Sequence, residues 1–325
     1  MSQPSDIEQP LVSVCIITYN QKKFLRECIE SVLAQDYPNI EIIVGDDAST
    51  DGTQEMLREF ETTYPDKFVL RLAKINMGIT CNSNAVFFSC SGKYVAMLGG
   101  DDLMLPGRIT KQVNFLETDL NYTLCGTYTK LINAEGKEIG VTKDYRGKKN
   151  PTYTLYDQIE SGNSLVPVVS YMFRRSAAPA EGFDNRLPVA SDALFINHVA
   201  SKGGIFILRE VLTAYRVHES HARRIGYVAD ALVVNALNEF YYPDYFKAIY
   251  SGKSGLSRSI GIGHILKGDY EKGICYFRIS LRCKFSMMTL LLLISTKTRF
   301  ASAFLAFAEK MRKVGLFNEI WHKVR

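Results

Sequence analysis

Apolar positions in the first hundred residues follow two patterns that alternate along the chain. Residues 11–18 form a continuous β-rich apolar run, as expected of a strand buried in a parallel sheet. Over residues 21–35 the apolar side chains Phe24, Leu25, Cys28, Ile29, Val32 and Leu33 recur instead at helical spacing. Pro38 and Asn39 break the chain, and residues 40–44 read as a second strand. Residues 51–64 predict a helix with Met56, Leu57 and Phe60 on one face, and 68–72 a third strand. Residues 83–88 predict part of a helix and 94–98 a fourth strand. This β-α-β-α-β-α-β order predicts an α/β fold, an open parallel sheet with helices on both faces. Ligands of such sheets bind at the carboxyl ends of the strands.

Beyond about residue 225 the pattern turns helical. Residues 227–250 are rich in aromatic and aliphatic side chains, and 268–282 resemble one helix of a helical-hairpin repeat. Residues 285–294 are apolar and lie between Lys284 and Lys297; residues 301–308 are apolar and precede Lys310, Arg312 and Lys313. Each stretch is shorter than the roughly 18 apolar residues that span a bilayer. Apolar faces edged with bases suit helices lying in a membrane interface, and equally a helical subdomain packed on protein. The organisation predicted is a short extension (1–10), an α/β domain (11–225) and a helical region (226–325).

Composition narrows the classes. With 46% hydrophobic and 22% charged residues among 325, the chain can bury a core, which excludes disordered, collagen-like and disulfide-scaffold proteins. The formal net charge of +5 conceals an asymmetry. Residues 221–325 carry 17 Lys/Arg against 7 Asp/Glu, or +10, whereas residues 1–220 carry 22 against 27, or −5. A basic final third suits an anionic membrane surface or an acidic partner. No nucleic-acid module accompanies it, so nucleic acid is not an expected partner. The seven cysteines include no Cys-x-x-Cys pair, and residues 1–10 hold two acids and no base. Both observations predict a cytoplasmic protein with reduced core thiols, peripheral at most on the inner face of the cell membrane.

Two of the predicted strands run into acid pairs, Gly45-Asp46-Asp47 and Gly99-Gly100-Asp101-Asp102. Carboxylates at the end of a buried strand are costly unless something cationic neutralises them. Either pair alone could also be a helix cap, a role open to Ser49 and Asp51 as well. Two pairs at the ligand-binding edge point to a hard cation, Mg2+ or Mn2+, ions that commonly also hold a phosphate. The first strand ends in Thr18-Tyr19-Asn20-Gln21, with neither a dinucleotide fingerprint nor a P-loop. Metal and side chains would therefore hold the phosphates.

These residues resemble glycosyltransferase family 2, the inverting nucleotide-sugar enzymes of GT-A fold. The likeness runs through Val12-Ser-Val-Cys-Ile-Ile-Thr-Tyr-Asn20, Glu30-Ser-Val-Leu-Ala-Gln35, Glu41-Ile-Ile-Val-Gly-Asp-Asp-Ala-Ser-Thr-Asp-Gly-Thr53, Asn76-Met-Gly78, Asn84 and Gly92-Lys-Tyr-Val-Ala-Met-Leu-Gly-Gly-Asp-Asp102. Ser191-Asp192-Ala-Leu-Phe resembles the acidic motif of the family's acceptor-side helix, and Tyr215-Arg-Val-His218 its closing Tyr-Arg-x-His. The resemblance implies that Tyr19 stacks on the nucleobase and Asp47 accepts a hydrogen bond from it, with Thr18, Asn20 and Asp46 lining the same pocket. It implies donor contacts for Asn76, Gly78, Asn84 and Asp101, and a divalent ion on Asp102 with Asp101 beside it; the imidazole of His218 suits a further metal ligand or a diphosphate contact. Asp192 would be the general base that deprotonates the acceptor hydroxyl. Arg223 and Arg224 are basic candidates for clamping the diphosphate. The sequence departs from the family's common pattern at Gly99, where many members carry Asp, at Ser83, where many carry Arg, and at Ser191, where Glu is frequent.

The expected activity is metal-dependent, inverting transfer of a sugar from a nucleoside-diphosphate sugar to a saccharide or lipid-linked glycan acceptor, in cell-surface polysaccharide or lipopolysaccharide synthesis. A nucleotidyltransferase is disfavoured, because it would want a glycine-rich basic loop after the first strand. A non-catalytic, sugar-nucleotide-binding or scaffolding subunit is the alternative motivated by Gly99 and Ser83.

Overall fold

The computed structural model describes residues 9–143, 148–162, 165–218 and 226–297. Its first part follows the predicted alternation: β1 (Val12–Thr18), α1 (Lys22–Leu33), β2 (Ile40–Asp46), α2 (Thr53–Thr63), β3 (Phe68–Leu72), α3 (Ile79–Phe87) and β4 (Tyr94–Gly99). Then come β5 (Leu103–Met104), α4 (Arg108–Thr118), β6 (Tyr122–Ile132), β7 (Glu138–Thr142), β8 (Thr152–Tyr153), α5 (Leu155–Glu160) and β9 (Met172–Arg174). The chain continues through α6 (Ser191–Ser201), β10 (Gly204–Arg216), α7 (Gly226–Tyr241), α8 (Phe246–Leu266), α9 (Tyr270–Cys283) and α10 (Met287–Lys297).

Among the described residues ten strands form one mixed sheet in the order β3-β2-β1-β4-β9-β6-β10-β5, with β7 beside β6 and β8 beside β10. Strands β3, β2, β1 and β4 are parallel, and their register aligns Thr18 with Asp46 and Ile17 with Gly99. Both acid pairs and the Thr18-Tyr19-Asn20 turn therefore emerge at one edge. Strand β9 runs antiparallel to both of its neighbours, β4 and β6. It is three residues long, but Arg174 at its end donates to the carbonyls of Tyr122 (2.8 Å), Asp119 (3.4 Å) and Leu116 and to Tyr94 Oη (2.8 Å). One side chain thus fastens a seam that the short ladder alone would hold weakly.

The period-2 geometry of strands divides the core. Val12, Val14 and Ile16 of β1 pack with Leu25, Cys28, Ile29 and Val32 of α1 and with Met56, Leu57 and Phe60 of α2. On another surface of the unit, Phe87, Phe173, Phe183 and Phe195 form a ring cluster that joins α3, β9, the loop before α6 and α6 itself. Burying each such ring contributes about 1.5–3 kcal/mol, which suffices to fix where α6 begins. Four of the seven free cysteines are buried, and Cys15 Sγ lies 3.1 Å from Cys90 Sγ. Cys275, by contrast, is exposed.

The chain divides into two compact units, one of residues 1–158 and 164–237, the other of 159–163 and 238–325. The division falls inside α7 because Val234 is buried with Leu187 and Leu194, with Leu237 packed alongside. In the second unit, Ile262, Ile265, Phe277 and Leu292 form a small core among α8, α9 and α10. Among the described residues no helix is long and apolar enough to cross a membrane. The apolar stretch at 301–308, with Lys310, Arg312 and Lys313, lies outside the described residues.

Candidate active site

The turn after β1 and the turn after β2 are built as one piece. Asn20 N–H donates to Ser49 Oγ at 2.7 Å, and Asn20 Oδ1 accepts from Thr50 N–H at 2.8 Å. Asn20 (φ 51°) and Ala48 (φ 61°) are the non-glycine residues with positive φ among those described, and both lie in these turns. Such backbone costs about 1–3 kcal/mol and persists where its surroundings impose it, most often at functional sites. Tyr19, directly before Asn20, has half its surface exposed (49%). Its ring is thus available for stacking at the strand ends.

Asp46 and Asp47 are both buried, and both carboxylates hold the protein's own donors. Asp46 accepts from Ser49 N–H (2.9 Å), from Gln54 Nε2 (2.8 Å) and from the Ser49 hydroxyl. Asp47 accepts from the N–H groups of Met77 (2.7 Å) and Gly78 (2.9 Å), while its carbonyl accepts from Asn76 Nδ2 at 3.2 Å. The first acid pair thereby fixes the Asn76-Met77-Gly78 turn at the start of α3. Thr18 is buried beside them, with its hydroxyl on Gln21 Oε1 at 3.1 Å and its carbonyl accepting from Asp47 N–H at 3.1 Å.

The second pair is arranged differently. Asp101 Oδ2 lies 2.9 Å from His218 Nε2, and Asp102 Oδ1 accepts from Arg216 N–H at 2.8 Å. A Cβ added to Gly99 would sit 2.9 Å from Asp101 Oδ1 and 2.8 Å from Asp102 Oδ2. One oxygen of each carboxylate thus converges on the space that Gly99, lacking a side chain, leaves open. Arg216 is fully buried behind the pair: its Nε donates to the Asp101 carbonyl (2.9 Å) and its Nη2 to Glu27 (2.6 Å). The guanidinium lies 4.8 Å from the Phe24 ring centroid, and the same ring is 4.9 Å from that of His218. Among the described residues no group of three or more His, Cys, Asp and Glu side chains is assembled for a metal.

Asp192 stands in the first turn of α6, half-buried, with Oδ1 accepting from Ala193 N–H at 2.8 Å. Desolvation pushes its carboxyl up to about 6; the Ala193 N–H opposes that rise, and the nearby charge of Asp230 adds to it. A base with that affinity is largely ionised at neutral pH and still able to take a proton. The start of α6 is tied to α3, since Thr80 Oγ1 donates to the Leu187 carbonyl (2.5 Å) and lies 2.8 Å from Ser191 Oγ.

The structure thus brings Thr18, Tyr19, Asn20, Asp46, Asp47, Asn76 and Gly78 into one strand-edge assembly, and Asp101, Asp102 and His218 into another. Asn84, for which the resemblance implied a donor contact, has its side chain on the loop before α6. Its amide spans the backbone of Phe183, accepting from the N–H at 2.7 Å and donating to the carbonyl at 2.9 Å, and it reaches Asn185 at 3.2 Å. It therefore holds the loop that leads into α6. Arg223 and Arg224 lie outside the described residues. Sequence reasoning missed Arg216, Glu27, Asn82, Thr80 and Asp230. Asn82 Nδ2 donates to the Gly45 carbonyl at 2.9 Å, and its Oδ1 occupies the space of a side chain at 45, which is why glycine precedes the first acid pair. Only Arg216 left a signal, as the second residue of the Tyr-Arg-x-His stretch.

Comparison with known proteins follows this geometry. A putative glycosyltransferase of Bacillus subtilis (strain 168), EpsE, is 42% identical over 118 residues, covering 36% of this chain and 42% of that one. This chain therefore spans less than half of that relative's length. The S. aureus TarS fragment 1–349 in complex with UDP-GlcNAc superposes with a TM-score of 0.65 at 18% identity, covering 93% of this chain and 91% of that one. Mannosyltransferase PcManGT from Pyrobaculum calidifontis, in complex with GDP-Man and Mn2+, superposes with a TM-score of 0.60 at 19% identity, covering 99% and 90%. At such identities the likeness concerns the fold, a GT-A-like α/β sheet with a helical C-terminal region. The family model described as glycosyl transferase family 2 matches residues 13–179, half of the chain, and takes in both acid pairs and the turn that Asp47 holds. The chain belongs to glycosyl transferase family 2.

Proposed function

We propose that this chain moves a sugar from a nucleoside-diphosphate sugar to a hydroxyl of a saccharide or lipid-linked acceptor, inverting the anomeric configuration. The observation that carries the reading is the first turn of α3. Asp47 holds Gly78 at one end of it, and Thr80, two residues on, holds Ser191 beside Asp192. One short segment thus couples the strand-edge turns to the carboxylate of raised pKa. Nucleoside-diphosphate sugars in both structural neighbours support the donor class.

In this reading Tyr19 stacks on the base, and Asp47 keeps lone pairs for it beyond the two N–H groups it already accepts. Asp192 takes the acceptor's hydroxyl proton as that oxygen bonds to the anomeric carbon and the bond to the diphosphate breaks. Asp101 and Asp102 fit a hard divalent ion, since two carboxylate oxygens face one open point above Gly99. His218 would orient Asp101, or join the ligands if the pair opens. Mn2+ or Mg2+ bound there supplies Lewis-acid stabilisation of the departing diphosphate. The Mn2+ of the mannosyltransferase neighbour supports that choice.

Replacing Asp192 by Asn should cut turnover by about 100-fold or more while leaving donor affinity unchanged, measured as nucleoside diphosphate release against donor concentration. Equal loss of donor affinity would make Asp192 a donor-site residue. A wild-type chain that binds donor yet releases no diphosphate with any acceptor extract would be the scaffolding subunit instead.

We further place the second unit against the anionic inner face of the cell membrane, in cell-surface glycan synthesis. Phe285, Met287, Leu291 and Ile294 are exposed, the last three at helical spacing on α10, and residues 221–325 carry the +10 charge. Each base near such a surface contributes about 1 kcal/mol. The protein should float with anionic vesicles at low salt and not with neutral ones. Serine at 285, 287 and 291 together should abolish flotation; an unchanged result would turn the surface into a protein-docking face.

A further inference from the structure

The entry into α6 lacks a cap of its own. Ala190 occupies the N-cap position and its side chain carries no acceptor, and the N–H groups of the two residues just before the helix, Val189 and Ala190, need a partner from elsewhere. They find it on α7: Asp230 Oδ2 accepts from Val189 N–H at 2.6 Å and from Ala190 N–H at 2.8 Å. Asp230 is only 5% exposed, and burial of a carboxylate is costly unless donors compensate it. The two N–H groups just before α6 supply that compensation. One turn further along α7, Val234 is buried against Leu187 and Leu194, which fixes the helix that delivers the carboxylate.

We propose that Asp230 is a positioning residue for the acceptor-side base: from α7 it clamps the turn that presents Asp192 and sets a negative charge beside it. The inference rests on the reading of Asp192 as that base. Asp192 lies two residues beyond Ala190, so a shift of the clamped turn moves its carboxylate directly. Of the other groups on the segments packed here, Asp184 and Arg186 pair with each other at 2.6 Å, and α3 presents Thr80 and the Cys81 thiol. His198 and Lys202 sit toward the opposite end of α6. Asp230 is the like charge that acts on Asp192, in the same direction as the larger effect of desolvation.

The test uses the full chain with 13C-labelled aspartate, Asp192 being assigned by the signal lost in Asp192→Asn. Asp230→Asn keeps the shape and an acceptor oxygen but removes the charge. The Asp192 titration midpoint should then fall below its starting value. The ratio of turnover at pH 5 to that at pH 8 should rise about twofold or more, because a lower pKa leaves more of the base ionised in acid. Donor KM should not change. A midpoint that stays put in the folded variant overturns the proposal. If the midpoint falls while the acid limb of turnover stays, Asp230 governs Asp192 but Asp192 is not the base, and it is the functional reading that fails. Asp230→Glu keeps charge and acceptor, and serves if the Asn variant does not fold. It should retain the wild-type midpoint with a lower kcat, and a midpoint lowered in this variant would also overturn the proposal.

Discussion

The chain contains two Gly-Asp-Asp sequences at the ends of β2 and β4, the two parallel strands that flank β1, and their surroundings differ. After β2 the carboxylates turn inward: Asp46 and Asp47 collect backbone N–H groups, a hydroxyl and an amide from the turns around them. After β4 they converge, with one oxygen of each on the open point above Gly99 and a buried arginine behind. The difference lies in what surrounds them. Asn82 and Val86 fill the space a side chain at Gly45 would take, whereas at Gly99 the nearest atoms are those of the two carboxylates themselves. The same three residues thus meet different surroundings, two backbone N–H groups on the carboxylate of Asp47 and one on that of Asp102.

The sharpest break of this contrast is Asp102→Asn. It should reduce Mn2+-dependent binding of a nucleoside diphosphate by about 100-fold or more, read by calorimetry, with the fold intact. Binding that keeps its Mn2+ requirement would move the ion elsewhere. Gly99→Ala should act more mildly: its methyl would displace two carboxylate oxygens now 2.8 and 2.9 Å away, weakening the same binding about tenfold with little change in melting. The smallest effect on the ion belongs to Asp47→Ala. That change strands the N–H groups of Met77 and Gly78 and should cost about 1–3 kcal/mol of stability in urea melts, at unchanged Mn2+ preference. A larger effect on Mn2+ than on stability would erase the distinction between the pairs.

The first four parallel strands were legible because each is a short, predominantly apolar β-rich segment bounded by polar breaks, even with Glu41 inside β2 and Arg71 inside β3. Strand β2 extends through Gly45 into Asp46, so the first pair begins inside the ladder and not past it. Helix α3 was only half legible. It begins at Ile79, four residues before the predicted start, and it buries Thr80, Asn82, Ser83 and Asn84, whose polar side chains hide the helical period. Strands such as β9 and β8, of three and two residues, are too short for any periodicity to register. The chemistry of the site was legible as residue types in order. Which groups each buried carboxylate meets was not, because that depends on residues 30 or more positions away, as Asp47 with Met77 and Asp230 with Val189 illustrate.

The reversed strand β9 also imposes an order in time. A ribosome that has made β1 to β4 has produced every parallel neighbour that these strands need, but β4 still presents one unpaired edge. The residues that close it, Met172–Arg174, emerge more than seventy positions later, after β6 has appeared with its own edge open. Until Arg174 reaches the Leu116, Asp119 and Tyr122 carbonyls, the nascent chain carries two sheet margins able to pair with another copy. The vulnerable interval in the life of this protein is therefore its synthesis between β4 and β9. Substitutions at Arg174 should show themselves first as aggregation of newly made chains, before any loss in the folded protein.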